Sequence, residues 1–167
     1  MGRLMAGATV AVVVAGVASY TQQRTEAAFA TPVNVAVSAS VAANCVLTAG
    51  SLAFGAYDPL VANDTTDLDQ TGTFTIRCVK GVTANVGLGD GLNAGRQMSA
   101  GGGNLLDYEL YKDAGRTTVW TDTGLGRLAY TAANKSAATL TIYGRVPAGQ
   151  DVAAGSYVDT VVASAEF

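Results

Sequence analysis

The chain of 167 residues contains no histidine. That absence removes the usual general base, the usual zinc ligand and the usual switch near neutral pH. Charge is also scarce: only 14% of residues are charged, and the net charge is −3. A protein that tracks nucleic-acid phosphates needs a basic face, and this composition supplies none. Proline occurs three times, and the few aromatics are mostly tyrosine. Glu, Lys and Leu, which build helical bundles, are few. In their place stand 20 glycines and a hydrophobic fraction of 49%, rich in small and β-branched side chains. That mixture predicts short strands joined by glycine turns in one domain of ordinary size.

The opening residues read as an export signal. Arg3 gives a small positive start, and Leu4 to Ala18 is an uninterrupted uncharged run. The run falls short of the roughly 20 apolar residues a membrane-spanning helix needs. Ala28-Phe29-Ala30 is a small-x-small cleavage signal. Residues 1–30 are therefore expected to be a secretory signal peptide, with an uncleaved anchor as the competing reading. Its removal takes away Arg3, Arg24 and Glu26 and leaves the remainder more acidic.

Cys45 and Cys78 are the two cysteines. In an exported chain an even, small number favours a disulfide. No CxxC spacing suggests redox chemistry, and no further ligands suggest zinc.

Thr31 to Val41 carries the clearest β pattern. Val33, Val35, Val37, Ala39 and Val41 share one face, and Asn34, Ala36, Ser38 and Ser40 share the other. Further strands are predicted at 45–48, 51–54, 72–79, 84–88, 105–111, 117–120, 127–130, 137–146 and 156–167. Turn-like clusters separate them, among them Gly87-Leu88-Gly89-Asp90-Gly91, which reads as a hairpin turn rather than a phosphate loop. Many short strands with glycine turns predict a sandwich or barrel. In the last strand Tyr157, Val161, Ala163, Ala165 and Phe167 share one parity, with Asp159 interrupting. The plain expectation is a central, buried strand; the sharper one is a strand handled by a partner during export.

The search for chemistry returns little. No base exists for a serine hydrolase, and there is no G-x-S-x-G elbow. Asp58, Asp64, Asp67 and Asp69 lack the glycine and terminal glutamate of a calcium loop, so solvation is the expectation. Tyr108, Tyr111 and Trp120 suggest carbohydrate stacking or, more plainly, packing. Asn63-Asp64-Thr65 and Asn134-Lys135-Ser136 match glycosylation sequons and carry no weight alone. No enzyme, metal or cofactor is expected.

Several segments together resemble a known family. They are the alternating Val33–Cys45, Leu52-Ala53-Phe54-Gly55-Ala56-Tyr57-Asp58 and Gly72-Thr73-Phe74-Thr75-Ile76-Arg77-Cys78. Gly95-Arg96-Gln97-Met98, Tyr108-Glu109-Leu110-Tyr111-Lys112-Asp113, Tyr143-Gly144-Arg145-Val146 and the run from Gly155 to Phe167 follow. In order and spacing the chain resembles the spore coat protein U domain family, which includes subunits of archaic, Csu-type chaperone–usher pili. The resemblance implies an all-β fold, an incomplete immunoglobulin-like β-sandwich completed by donor-strand complementation. It implies residues 31–43 as the donor extension and 44–167 as the sandwich. Val33, Val35, Val37, Ala39 and Val41 would fill a neighbouring copy's groove. Tyr157, Val161, Ala163, Ala165 and Phe167 would edge that groove, beside which a periplasmic chaperone lends a strand until an outer-membrane usher exchanges it. The implied function is a cell-surface pilus subunit, in a linear polymer of copies, for adhesion and biofilm formation. The alternative is a secreted coat or ligand-binding sandwich that fills its own groove.

Overall fold

The computed structural model describes residues 28–93 and 95–167. The export signal falls mostly on residues 1–27 and lies outside the described residues. The chain divides into two units, Met1–Ala39 and Ser40–Phe167.

In the first unit, residues 28–39 belong to no strand or helix. Val33, Val35 and Val37 are each at least four-fifths exposed. The strand expected at Thr31–Val41 is therefore absent as a strand, and residues 40–44 of the second unit are likewise irregular. The reason is physical. Alternation makes a segment fit to be a strand, but a strand exists only when a partner supplies hydrogen bonds and a surface to cover.

The second unit is all-β among the described residues, apart from a 3-10 turn at Gly124–Gly126. Its strands are β1 Cys45–Ser51, β2 Leu68–Cys78, β3 Thr83–Leu88, β4 Gln97–Gly101 and β5 Asn104–Asp107. They continue with β6 Glu109–Tyr111, β7 Leu128–Thr131, β8 Ala138–Val146 and β9 Ala163–Glu166. One sheet has the order β1-β2-β8-β6, a second β7-β3-β9, and β4 and β5 form a hairpin closed through Gly101–Gly103. All pairings are antiparallel, and neither large sheet closes on itself.

The core follows from strand alternation. Along β2, Gly72, Phe74, Ile76 and Cys78 point inward, while Thr71, Thr73 and Arg77 face water. From the opposite sheet Ala84, Val86 and Leu88 meet them. Trp120 is fully buried between, tilted against Phe74 and donating its indole N–H to the Val86 carbonyl at 2.9 Å. Trp120 and Tyr108 thus serve packing, not an exposed stacking platform. Cys45 and Cys78 are directly opposed on β1 and β2 and form the expected disulfide.

The structure corrects several strand boundaries. Of the predicted strand at 51–54, Ser51 ends β1 and residues 52–54 form a loop. Leu52 and Phe54 instead fold onto Gly144 of β8, where an added Cβ would lie 2.7 Å from Leu52 and 2.8 Å from Phe54. The stretch 105–111 is two strands in different sheets, switching at Tyr108. Residues 117–120 make only an isolated bridge, Val119 to Tyr111. Strand β4 falls outside the predicted strands, and β2 begins at Leu68, four residues before the predicted start at 72.

Gly87–Gly91 is no hairpin turn: Gly87 and Leu88 belong to β3, whose neighbours are β7 and β9. The last strand is neither long nor central. Only Ala163–Glu166 pairs with β3, at the sheet's edge, and Phe167 is 56% exposed.

Candidate functional site

Two sheet edges define the site. β1 is an outer strand of the four-stranded sheet, and β9 is an outer strand of the three-stranded sheet. Each has one side with no strand partner among the described residues. Backbone N–H and C=O groups along such an edge are free to pair with an added strand. Between these edges runs a groove of about 1570 Å³. Phe74, Leu106, Leu110 and Val146 form its floor, each buried yet facing the groove. One lip is the stretch from Leu47 to Tyr57; the other runs from Gly149 to Ala163. A long apolar channel between two free edges matches an extended, alternating peptide: the edges bond its backbone and the floor takes every second side chain.

The second lip is irregular but fixed. Val158 bridges to Ser99 of β4 through two backbone hydrogen bonds of 2.9 and 3.1 Å. Asp159 then anchors it. Its carboxylate accepts from the Tyr108 hydroxyl at 2.6 Å, the Thr160 N–H at 2.7 Å and the Leu92 N–H at 2.9 Å. Asn93 donates to the same carboxylate at 3.2 Å. Burial pushes this carboxyl's pKa up, but the Tyr108 bond and the backbone bonds outweigh it and hold it below its usual value. Burial, and then the bond to Asp159, push the Tyr108 phenol well above its usual range. Gly91 makes room for this arrangement: an added Cβ would lie 1.9 Å from an Asp159 oxygen, and φ is +87°.

Arg96 braces the groove lining at Leu88. It is buried, and its Nη2 donates to the carbonyls of Leu88 at 2.9 Å and Trp120 at 2.7 Å. At one end of β2, Arg145 grips Asp69 through Nε at 2.7 Å and Nη2 at 2.8 Å, with Arg116 3.2 Å from the same carboxylate. The Arg145 hydrogen bonds hold the Asp69 pKa below its usual value. Asp67 also pairs with Arg145, and Asp58 accepts from the N–H groups of Leu60 and Val61. These acids therefore serve loops and ion pairs.

The predicted site residues fall unevenly. Tyr157, Val161 and Ala163 line the groove. Ala165 is half-buried opposite Val86, and Phe167 lies outside the groove lining. Val33, Val35, Val37, Ala39 and Val41 are exposed. The floor residues Leu106 and Leu110 and the anchor Asp159 were not singled out as site residues. The lone acid in an apolar alternation was the available signal for Asp159.

A family model, Spore Coat Protein U domain, matches residues 31–164. Protein U of Myxococcus xanthus is 37% identical over 130 residues, covering 71% of this chain and 72% of that protein. Among solved structures, a chain of the CsuC–CsuE chaperone–tip adhesion subunit pre-assembly complex, from archaic chaperone–usher Csu pili of Acinetobacter baumannii, superimposes with a TM-score of 0.50 at 24% identity. The match covers 76% of this chain and 40% of that one, and it shows the fold: an open, immunoglobulin-like β-sandwich. On the strength of the domain match across most of its length, the chain belongs to the spore coat protein U domain family.

Proposed function

We propose that this protein is a structural subunit of an exported chaperone–usher pilus. Each copy inserts residues 31–41 into the groove of the next, building a linear, cell-surface polymer that supports adhesion and biofilm formation. One observation carries the reading. The same chain holds a groove between two free sheet edges and an alternating valine segment that forms no strand of its own. The family membership and the Csu-type fold likeness support it.

About ten extended residues span roughly 33 Å, the length of a long sheet strand. Four buried valines contribute on the order of 1.5–3 kcal/mol each before ordering costs. Ladder hydrogen bonds add roughly 0.5–1.5 kcal/mol apiece. A strand inserted into a fold leaves only when that fold opens, so slow subunit unfolding sets the lifetime of the joint. The empty groove and loose valine segment also form an aggregation template. A periplasmic chaperone that covers the β9 side, and an usher that exchanges it for the donor, answer that hazard. The role is mechanical and asks for no reactive side chain.

The spore-coat name of the matching family favours a second reading, a secreted coat protein whose segment 31–41 fills its own groove. Deletion of residues 31–41 separates the two. The pilus reading expects the full chain to form heat- and detergent-resistant multimers and the deletion to form none. Multimers that persist after the deletion overturn it, and a full chain that stays a stable monomer at every concentration supports self-filling.

A further inference from the structure

We infer that Arg96 is a positioning residue for the groove: it props the two sheets apart, so that an unfilled copy keeps its groove open for a donor strand. The inference rests on the donor-strand reading and adds to it the device that readies the acceptor.

Three costs meet at Arg96. Its φ of +60° is left-handed, a strained setting for any residue larger than glycine. Its side chain is buried, and no carboxylate pairs with it among the described residues. Its Nε and Nη1 have no hydrogen-bond partner among the described residues. A residue kept for packing alone would avoid burying an unpaired charge. Costs of this kind persist only where the surrounding structure demands them, and they point to a task.

The contacts say which task. One nitrogen, Nη2, stands between two carbonyl oxygens, those of Leu88 and Trp120. Leu88 ends β3 in the three-stranded sheet. Trp120 is tied to β6 of the four-stranded sheet, its N–H donating to the Leu110 carbonyl at 2.8 Å. The Arg96 carbonyl adds a third tie, accepting from the Tyr108 N–H at 2.9 Å. Leu88, Tyr108 and Leu110 all line the groove. Arg96 thus joins lining residues of both sheets, beside β6 and away from the open edge at β1. Its planar guanidinium keeps the two carbonyls at a set spacing.

The groove needs such a prop. Its floor is apolar, and β1 and β9 do not pair with each other. Burying that floor by drawing the sheets together is favourable, so an empty groove tends to collapse. A spacing fixed between Leu88 and Trp120 resists the closure. Without the cation between them, the sheets are free to settle inward.

The test uses the full chain carrying Val37→Asp, whose own segment is unfit to fill a groove, and a fluorescent synthetic peptide of residues 31–41 as the donor. Adding Arg96→Met is expected to slow peptide uptake about tenfold, as for an open form populated one part in ten. Arg96→Lys keeps a cation to bridge both carbonyls and should recover most of the rate. Ile76→Ala loosens the core outside the groove lining and should slow uptake far less. Should Arg96→Met not fold, Arg96→Gln, which still donates to one carbonyl, carries the same expectations. Spin labels on Thr48→Cys and Val162→Cys, one on each lip, read the width directly. Arg96→Met should bring them closer in the empty copy, and added peptide should restore the spacing. Uptake as fast as with Arg96, or a slowing matched by Ile76→Ala, overturns the prop, as does a lip spacing that the substitution leaves unchanged. Peptide uptake by none of the chains overturns the donor-strand reading instead, and the label spacing then still decides on the prop.

Discussion

Asp159 is where a single residue holds the groove open. Its carboxylate gathers the Tyr108 hydroxyl and backbone N–H groups from two chain segments, fixing a lip that has no regular strand. Its pKa is depressed in the folded protein, so its contribution is full above its ordinary value of 3.8 and is lost as the pH falls below that value. Asp159→Asn is expected to cost about 1–2 kcal/mol at neutral pH, the scale of partly exposed charged hydrogen bonds. Urea unfolding at a series of pH values checks it: the gap between variant and parent should close in acid, and a gap constant with pH would contradict the assignment. Cys45→Ser tests another single link. The bridge closes a loop of 33 residues, for which chain entropy gives roughly 3–4 kcal/mol. A lowered denaturant midpoint and a lower periplasmic yield are expected, and an unchanged midpoint under oxidising conditions would speak against a structural role.

At the scale of elements, what could be read in advance depended on what each segment touches. Strands β2, β3 and β8 bury one whole face, and their alternation revealed them to within a few residues. The disulfide was legible because two cysteines in an exported chain leave few alternatives. The segment 51–54 misled because Leu52 and Phe54 alternate like a strand yet pack on the bare backbone of Gly144. The C-terminal stretch misled because only its last turn of alternation finds a partner, and Asp159 takes the middle for hydrogen bonding. The groove floor was not legible, since it combines side chains from strands far apart in sequence. Period-two alternation at residues 31–41 supplies its own test. Val37→Asp puts a charge on the face proposed to enter the groove, costing several kcal/mol, and should abolish resistant multimers on gels. Ser38→Asp lies on the other face and should leave them. Equal loss in both, or in neither, would show that face does not matter.

On the proposed donor-strand reading, the whole molecule is one sandwich less a strand, together with a strand offered to its neighbour. Its lack of histidine and its low charge fit a part whose work is done by backbone hydrogen bonds and apolar burial. Both outer edges facing the groove, β1 and β9, should gain a partner at the same time when copies join. Amide hydrogen exchange compared between free subunit and assembled polymer measures this directly. The account predicts strong new protection along Cys45–Ser51 and Ala163–Glu166 together, with protection also appearing in residues 31–41. Polymers in which neither edge slows its exchange, or in which residues 31–41 exchange as fast as in the free subunit, would contradict it.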